Sequence, residues 1–221
     1  MIKLSVSLLS ADFTHLADAV QAVESAGAHY IHVDVMDGHF APNITFGPPV
    51  VEALRKITSL TFDIHLMVEN PGKFIEPFAR AGADIINIHA EASENLRADI
   101  ESVKKLNKIP AVTIKPNTDV ERLFGLADRI GMALIMSVEP GFAGQTLKLE
   151  TLKKVEKLAS FAAREGIDID IEIDGGARLE NVKDIINAGA NVIVAGSAIF
   201  GRKDIGQAVR EFYDMFKRRR A

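Results

Sequence analysis

Apolar residues gather along this chain in eight short runs rich in β-branched side chains, at 2–9, 30–35, 62–68, 84–89, 111–115, 133–138, 169–174 and 191–195, each bounded by turn-forming residues. Such runs predict strands. Between them the apolar positions fall three and four residues apart, as at 15–23 and 152–158, and predict helices, the last over 205–217. Three helices end in one phrase, Ala26-Gly27-Ala28, Ala81-Gly82-Ala83 and Ala188-Gly189-Ala190, whose glycine suits a left-handed stop before the next strand. Each parallel crossover needs a helix, so the alternation predicts a parallel sheet. Eight such units in 221 residues predict one α/β domain, 1–221, closed as a (β/α)8 TIM barrel without free sheet edges. A doubly wound open sheet is the alternative.

The two-residue period of a strand sorts side chains into inward and outward sets. In the second strand His32, Asp34 and Met36 share one side, while Ile31, Val33 and Val35 face the other. In the third, His65 and Met67 point inward and Phe62, Ile64 and Leu66 outward. The seventh aims Asp170, Glu172 and Asp174 inward, with Asp174 nearest the strand end. Functional groups of such a barrel gather at the C-terminal strand ends. His32, Asp34, His65 and Asp174 therefore converge as two imidazoles and two carboxylates, a set suited to one divalent cation, Zn²⁺ first, with Fe²⁺, Mn²⁺ or Co²⁺ as alternatives. His89 is a candidate supporting group, His15 and His29 read as surface residues, and His39 belongs to a loop. Asp170 and Glu172, lying deeper, read as structural, with Lys115 a candidate counter-ion. Met36, Met67 and Met136 would form a water-excluding pocket wall.

The chain has no cysteine, so any metal must be held by nitrogen and oxygen. A net charge of −4 offers no general attraction to nucleic acid or anionic lipid. The basic run 217–220 reads as a solvated helix end, and the apolar N-terminus meets Asp12 too soon for a signal peptide or membrane span. A cytoplasmic protein binding neither nucleic acid nor membrane is expected. Glycine turns follow three consecutive strands, at Pro140-Gly141-Phe142-Ala143-Gly144-Gln145, Gly175-Gly176 and Gly196-Ser197. They let backbone N–H groups approach an anion, where this architecture usually binds phosphate.

These motifs, together with Ser7-Leu8-Leu9-Ser10-Ala11-Asp12, the run from His32 to Phe40 with Pro42-Asn43, His65-Leu66-Met67 and Asp174-Gly175-Gly176, closely resemble those of ribulose-phosphate 3-epimerases over nearly the whole chain. The resemblance implies that His32, Asp34, His65 and Asp174 bind the metal. It implies that Asp34 and Asp174 are the acid/base pair, that Ser7 and His65 touch substrate, that Gly141, Phe142, Ala143, Gly144, Gly176, Gly196 and Ser197 bind the phosphate, and that Gly175 also lies against the substrate. It further implies a small sugar phosphate as substrate, no organic cofactor and a homo-oligomer. Two positions depart from the family: Val6 stands where proline is usual, and Ala143 where glycine is usual. Ala143 matches allulose-6-phosphate 3-epimerases, whereas Gly175-Gly176 matches the ribulose-phosphate branch. The expected reaction interconverts D-ribulose 5-phosphate and D-xylulose 5-phosphate. A metal-dependent decarboxylase using Lys115 and a non-catalytic sugar-phosphate-binding module are the remote alternatives.

Overall fold

The computed structural model describes residues 1–217. Strands β1 Lys3–Ser7, β2 Tyr30–Met36, β3 Thr61–Met67, β4 Ile85–His89, β5 Ile109–Ile114, β6 Met132–Met136, β7 Asp170–Asp174 and β8 Val192–Ala195 pair in sequence order. The closed parallel barrel is completed by β8 pairing with β1. Helices α1 Leu16–Ser25, α2 Pro48–Arg55, α3 Ile75–Ala81, α4 Leu96–Lys105, α5 Leu152–Glu165, α6 Val182–Asn187, α7 Ser197–Phe200 and α8 Ile205–Lys217 surround it. Residues 218–220 of the basic run lie outside the described residues. Among those described, no helix is long and apolar enough to cross a membrane.

The outward strand residues Ile31, Val33, Val35, Phe62, Ile64, Leu66, Ile171 and Ile173 are buried with the helices' apolar faces in one large cluster. Burial of such side chains contributes about 1.5–3 kcal/mol each, which fixes strand register, since a one-residue slip would exchange the inward and outward sets. Val6, a departure from the family pattern, belongs to this outer core. The glycines after α1, α3 and α6 adopt the expected left-handed backbone, with φ of +92° at Gly27 and +111° at Gly82 and Gly189.

One crossover differs from expectation. Between β5 and β6 the chain winds as 3₁₀ turns over Val120–Arg129. Its buried residues are Val120, Leu123, Leu126 and Ala127, spacings that an α-helix satisfies as well as a 3₁₀ helix.

The barrel interior is layered. Ile85, Ala111, Met132 and Val192 plug the N-terminal end. Above them lies a buried polar belt of Ser5, His32, Asp63, Asn87, Thr113 and Glu172. Toward the C-terminal mouth come Asp34, His65 and Asp174, and then Met36, Met67 and Met136. Register sets this order, pairing His32 with Asp63, Asp34 with His65, Met36 with Met67 and Met136 with Asp174.

Candidate active site

At the mouth the four side chains singled out by strand periodicity meet. His32 Nε2 lies 3.4 Å from Asp34 Oδ1 and 3.2 Å from His65 Nδ1. His65 Nδ1 lies 3.4 Å from Asp34 Oδ1 and 3.7 Å from Asp174 Oδ2. One atom from each residue falls within 4.8 Å of the others. A tetrahedral cation bound at about 2.0–2.1 Å separates its ligand atoms by roughly 3.3–3.4 Å, close to these separations, so the four groups could hold a metal ion.

The surroundings orient these atoms. Asp63 Oδ2 approaches His32 Nδ1 at 2.6 Å, and its other oxygen accepts from Asn87 Nδ2 at 2.7 Å. A carboxylate there keeps the proton on Nδ1 and turns the Nε2 lone pair toward the centre. Ser7 Oγ donates to Asp34 Oδ2 at 2.6 Å, leaving Oδ1 for the imidazoles. Thr45 Oγ1 donates to the Asp34 carbonyl and accepts from Met36 N, tying the strand end to the following loop. His65 Nε2 meets His89 Nε2 at 3.0 Å, and His89 Nδ1 meets Glu91 Oε2 at 3.2 Å.

Neighbours set the proton affinities of His32, Asp34 and Asp174 apart. Burial opposes a charged His32, yet Asp63 and Asp34 outweigh it and raise its pKa well above the usual value. Burial alone would raise Asp34, but His32 and His65 hold it below the ordinary carboxylate range. Asp174, whose side chain is 15% exposed, is pushed up to about 6 by burial and then by the Asp34 charge. Burial lowers His89 to about 4 against the pull of Glu91. The centre thus calls for positive charge beside Asp34, which a proton or a bound cation supplies, and it separates two carboxylates in proton affinity.

A cleft opens above. It is lined by Ser7, Asp34, Met36, Met67, Met136 and Asp174, and by the turns carrying Gly141, Phe142, Ala143, Gly144, Gly175, Gly176, Gly196 and Ser197. His32 and His65 are fully buried beneath this lining, so His65, expected also to touch substrate, does not itself face the cleft. Gly176 shows why one turn needs glycine: its φ is +68°, and a Cβ there would lie 2.3 Å from Leu147 N.

Two expectations from the sequence are corrected. Lys115 is not the counter-ion of the deep acids; its Nζ lies 3.8 Å over the Phe40 ring. Asp170 pairs instead with Lys3 Nζ at 2.5 Å. Glu172 Oε1 lies 3.8 Å from His32 Nδ1 and its Oε2 lies 3.4 Å from Asn87 Nδ2, and burial and Asp63 raise its pKa well above the usual value despite His32. His29 is half-buried against Tyr213 rather than on the surface, its Nδ1 lying 2.9 Å from the tyrosine hydroxyl. His15 and His39 are exposed as expected. Asp63, Asn87, Glu91 and Thr45 join the site without having stood out in the sequence. For Asp63 and Asn87 a signal exists, because each stands two residues before an inward histidine of its own strand.

A model of the Ribulose-phosphate 3 epimerase family matches residues 3–200, taking in every element that builds the centre. The chain belongs to this family. It is 44% identical over 212 residues to the ribulose-phosphate 3-epimerase of Bacillus subtilis, covering 96% of this chain and 98% of that one. It is also 44% identical over 211 residues to the chloroplastic ribulose-5-phosphate-3-epimerase of Arabidopsis thaliana, covering 95% of this chain and 75% of the relative. Membership places the protein among the isomerases that epimerise carbohydrates. The fold is shared more widely: a crystal structure of KGPDC from Streptococcus mutans superposes with a TM-score of 0.75 at 20% identity over 100% of this chain and 99% of that one.

Proposed function

We propose that the protein interconverts D-ribulose 5-phosphate and D-xylulose 5-phosphate by a two-base transfer of the C3 proton, the whole barrel acting as one catalytic domain. The observation that carries this reading is the convergence of Asp34 and Asp174 on one centre from β2 and β7, with the cleft and its glycine turns directly above. Epimerising C3 of a 2-ketose requires a proton to leave one face and another to arrive on the opposite face. Two carboxylates of unlike proton affinity on different strands meet that need. Asp34 accepts the proton in one direction while Asp174, as carboxylic acid, donates; the reverse reaction exchanges the roles.

His32, Asp34, His65 and Asp174 are the residues that would hold a divalent cation, Zn²⁺ first. Such a cation would supply Lewis-acid polarisation of the ketose carbonyl and would offset the negative charge that develops when the C3 proton leaves. Ser7, bonded to Asp34 Oδ2, keeps that carboxylate aimed at the reacting carbon. Met36, Met67 and Met136 exclude water above the centre. The turns carrying Gly141 to Gly144, Gly176, Gly196 and Ser197 receive the phosphate with their backbone N–H groups. No nicotinamide or flavin takes part.

Ala143, the residue shared with six-carbon epimerases, lines the cleft and favours a second reading, in which allulose 6-phosphate is also turned over. Side-by-side kinetics on the two sugar phosphates test this. The primary reading expects higher kcat/KM on ribulose 5-phosphate, and a preference for the six-carbon substrate would replace it with the second.

A further inference from the structure

Beside the centre a chain of three side chains runs from the partly buried Glu91 through the buried His89 to the buried His65, and nothing in the proton-transfer scheme uses its outer two members. We infer that Glu91 is a positioning residue which, through His89, fixes the tautomer of His65 so that the Nδ1 lone pair points at the four-residue centre. The inference rests on the metal-centre reading proposed above and deepens it.

The hydrogen count dictates the direction. Glu91 Oε1 already accepts from Lys115 N at 2.8 Å and from Thr118 Oγ1, and Oε2 faces His89 Nδ1 at 3.2 Å. A carboxylate only accepts, so the His89 proton sits on Nδ1 and its Nε2 carries a lone pair. The contact between His89 Nε2 and His65 Nε2, at 3.0 Å, needs one donor, which must then be His65. A neutral imidazole with its proton on Nε2 is unprotonated at Nδ1, the atom that lies 3.2 Å from His32 Nε2 and 3.4 Å from Asp34 Oδ1. His65 and His89 are fully buried. The Phe40 ring packs on His89 with centroids 4.6 Å apart and shields that side of the relay.

The rival account makes Glu91 only a loop tie, joining the turn after β4 to the turn after β5 through Thr118 and Lys115. Glu91→Gln separates the two. Its carbonyl can keep both Oε1 contacts, but its amide then occupies the Oε2 place and donates to His89 Nδ1. The relay reverses and puts a proton on His65 Nδ1, facing the centre.

The full-length protein, stripped of metal and titrated with Zn²⁺ by calorimetry, should bind about 10–100-fold more weakly as Glu91→Gln, with little change in Tm. Thr118→Val should lower Tm while leaving Zn²⁺ affinity unchanged. Independently, ¹⁵N-histidine spectra of the metal-free protein should show His65 Nδ1 unprotonated in the wild type and protonated in Glu91→Gln. Affinity within twofold of wild type in Glu91→Gln, or an unaltered His65 tautomer, would overturn the inference. If the wild type binds Zn²⁺ no better than His65→Ala, the metal reading fails instead, and the tautomer spectra still decide the relay.

Discussion

Asp34 and Asp174 are the same residue type held at different proton affinities. Two imidazoles hold Asp34 below the ordinary carboxylate range, while burial and the Asp34 charge push Asp174 up to about 6, a difference on which the proposed acid/base pair draws. Asp34→Asn and Asp174→Asn should each lower kcat by about 10²–10⁴-fold or more with the circular dichroism spectrum of the folded barrel retained. A rate near wild type in either variant would end the two-base scheme. The four central residues are legible in the sequence because strand alternation alone aims them inward. Asp63 and Asn87 obey the same alternation, but a carboxylate or amide one layer deeper carries no chemical pattern until register places it against His32. Lys115 is not legible, because its position just beyond the end of β5 leaves its direction open, and the Phe40 ring captures it.

At the scale of elements, the turns and strand ends do the positioning. Gly176 sits where a Cβ would strike the backbone of Leu147 at 2.3 Å with φ at +68°, and strain of this kind costs about 1–3 kcal/mol. Gly176→Ala should therefore shift the turn that faces the cleft, raising KM for ribulose 5-phosphate about tenfold or more with a smaller change in kcat. Equal losses in both constants would argue against a phosphate role. At the opposite end of the barrel, burial works against a charged Lys3, but its bond to Asp170 and the nearby Tyr30 prevail and raise its pKa. A raised lysine contributes stability that is complete below the unfolded value of about 10.4 and fades as pH rises through the folded value. Lys3→Met should lower unfolding stability by roughly 1 kcal/mol at pH 8, and the gap to wild type should close above about pH 10.4. A gap that widens with pH would contradict the assignment. The 3₁₀ crossover of Val120–Arg129 is hidden in the sequence because its buried Val120, Leu123, Leu126 and Ala127 also satisfy the three-and-four rule that recognises α-helices.

Over the whole molecule, closure turns a linear alternation into a layered interior. The strands are legible to within a residue or two at most ends, since outward Val and Ile residues have only one way to be buried. Closure itself follows from counting eight units, because β8 pairs with β1 and leaves no edge. The centre's polarity is less legible. Its net charge depends on contacts across β1, β2, β3, β4 and β7 that adjacent sequence does not encode. The consequence is a mouth at which four side chains able to hold a cation lie under one cleft edged by three glycine turns, the arrangement on which the proposed C3 epimerisation rests. The most direct measurement is turnover of D-ribulose 5-phosphate in D₂O by enzyme first stripped of metal and then reloaded with Zn²⁺. The account predicts D-xylulose 5-phosphate carrying one solvent deuterium at C3, formed by the reloaded and not by the stripped enzyme. Product without deuterium at C3, or equal rates in both preparations, would contradict it.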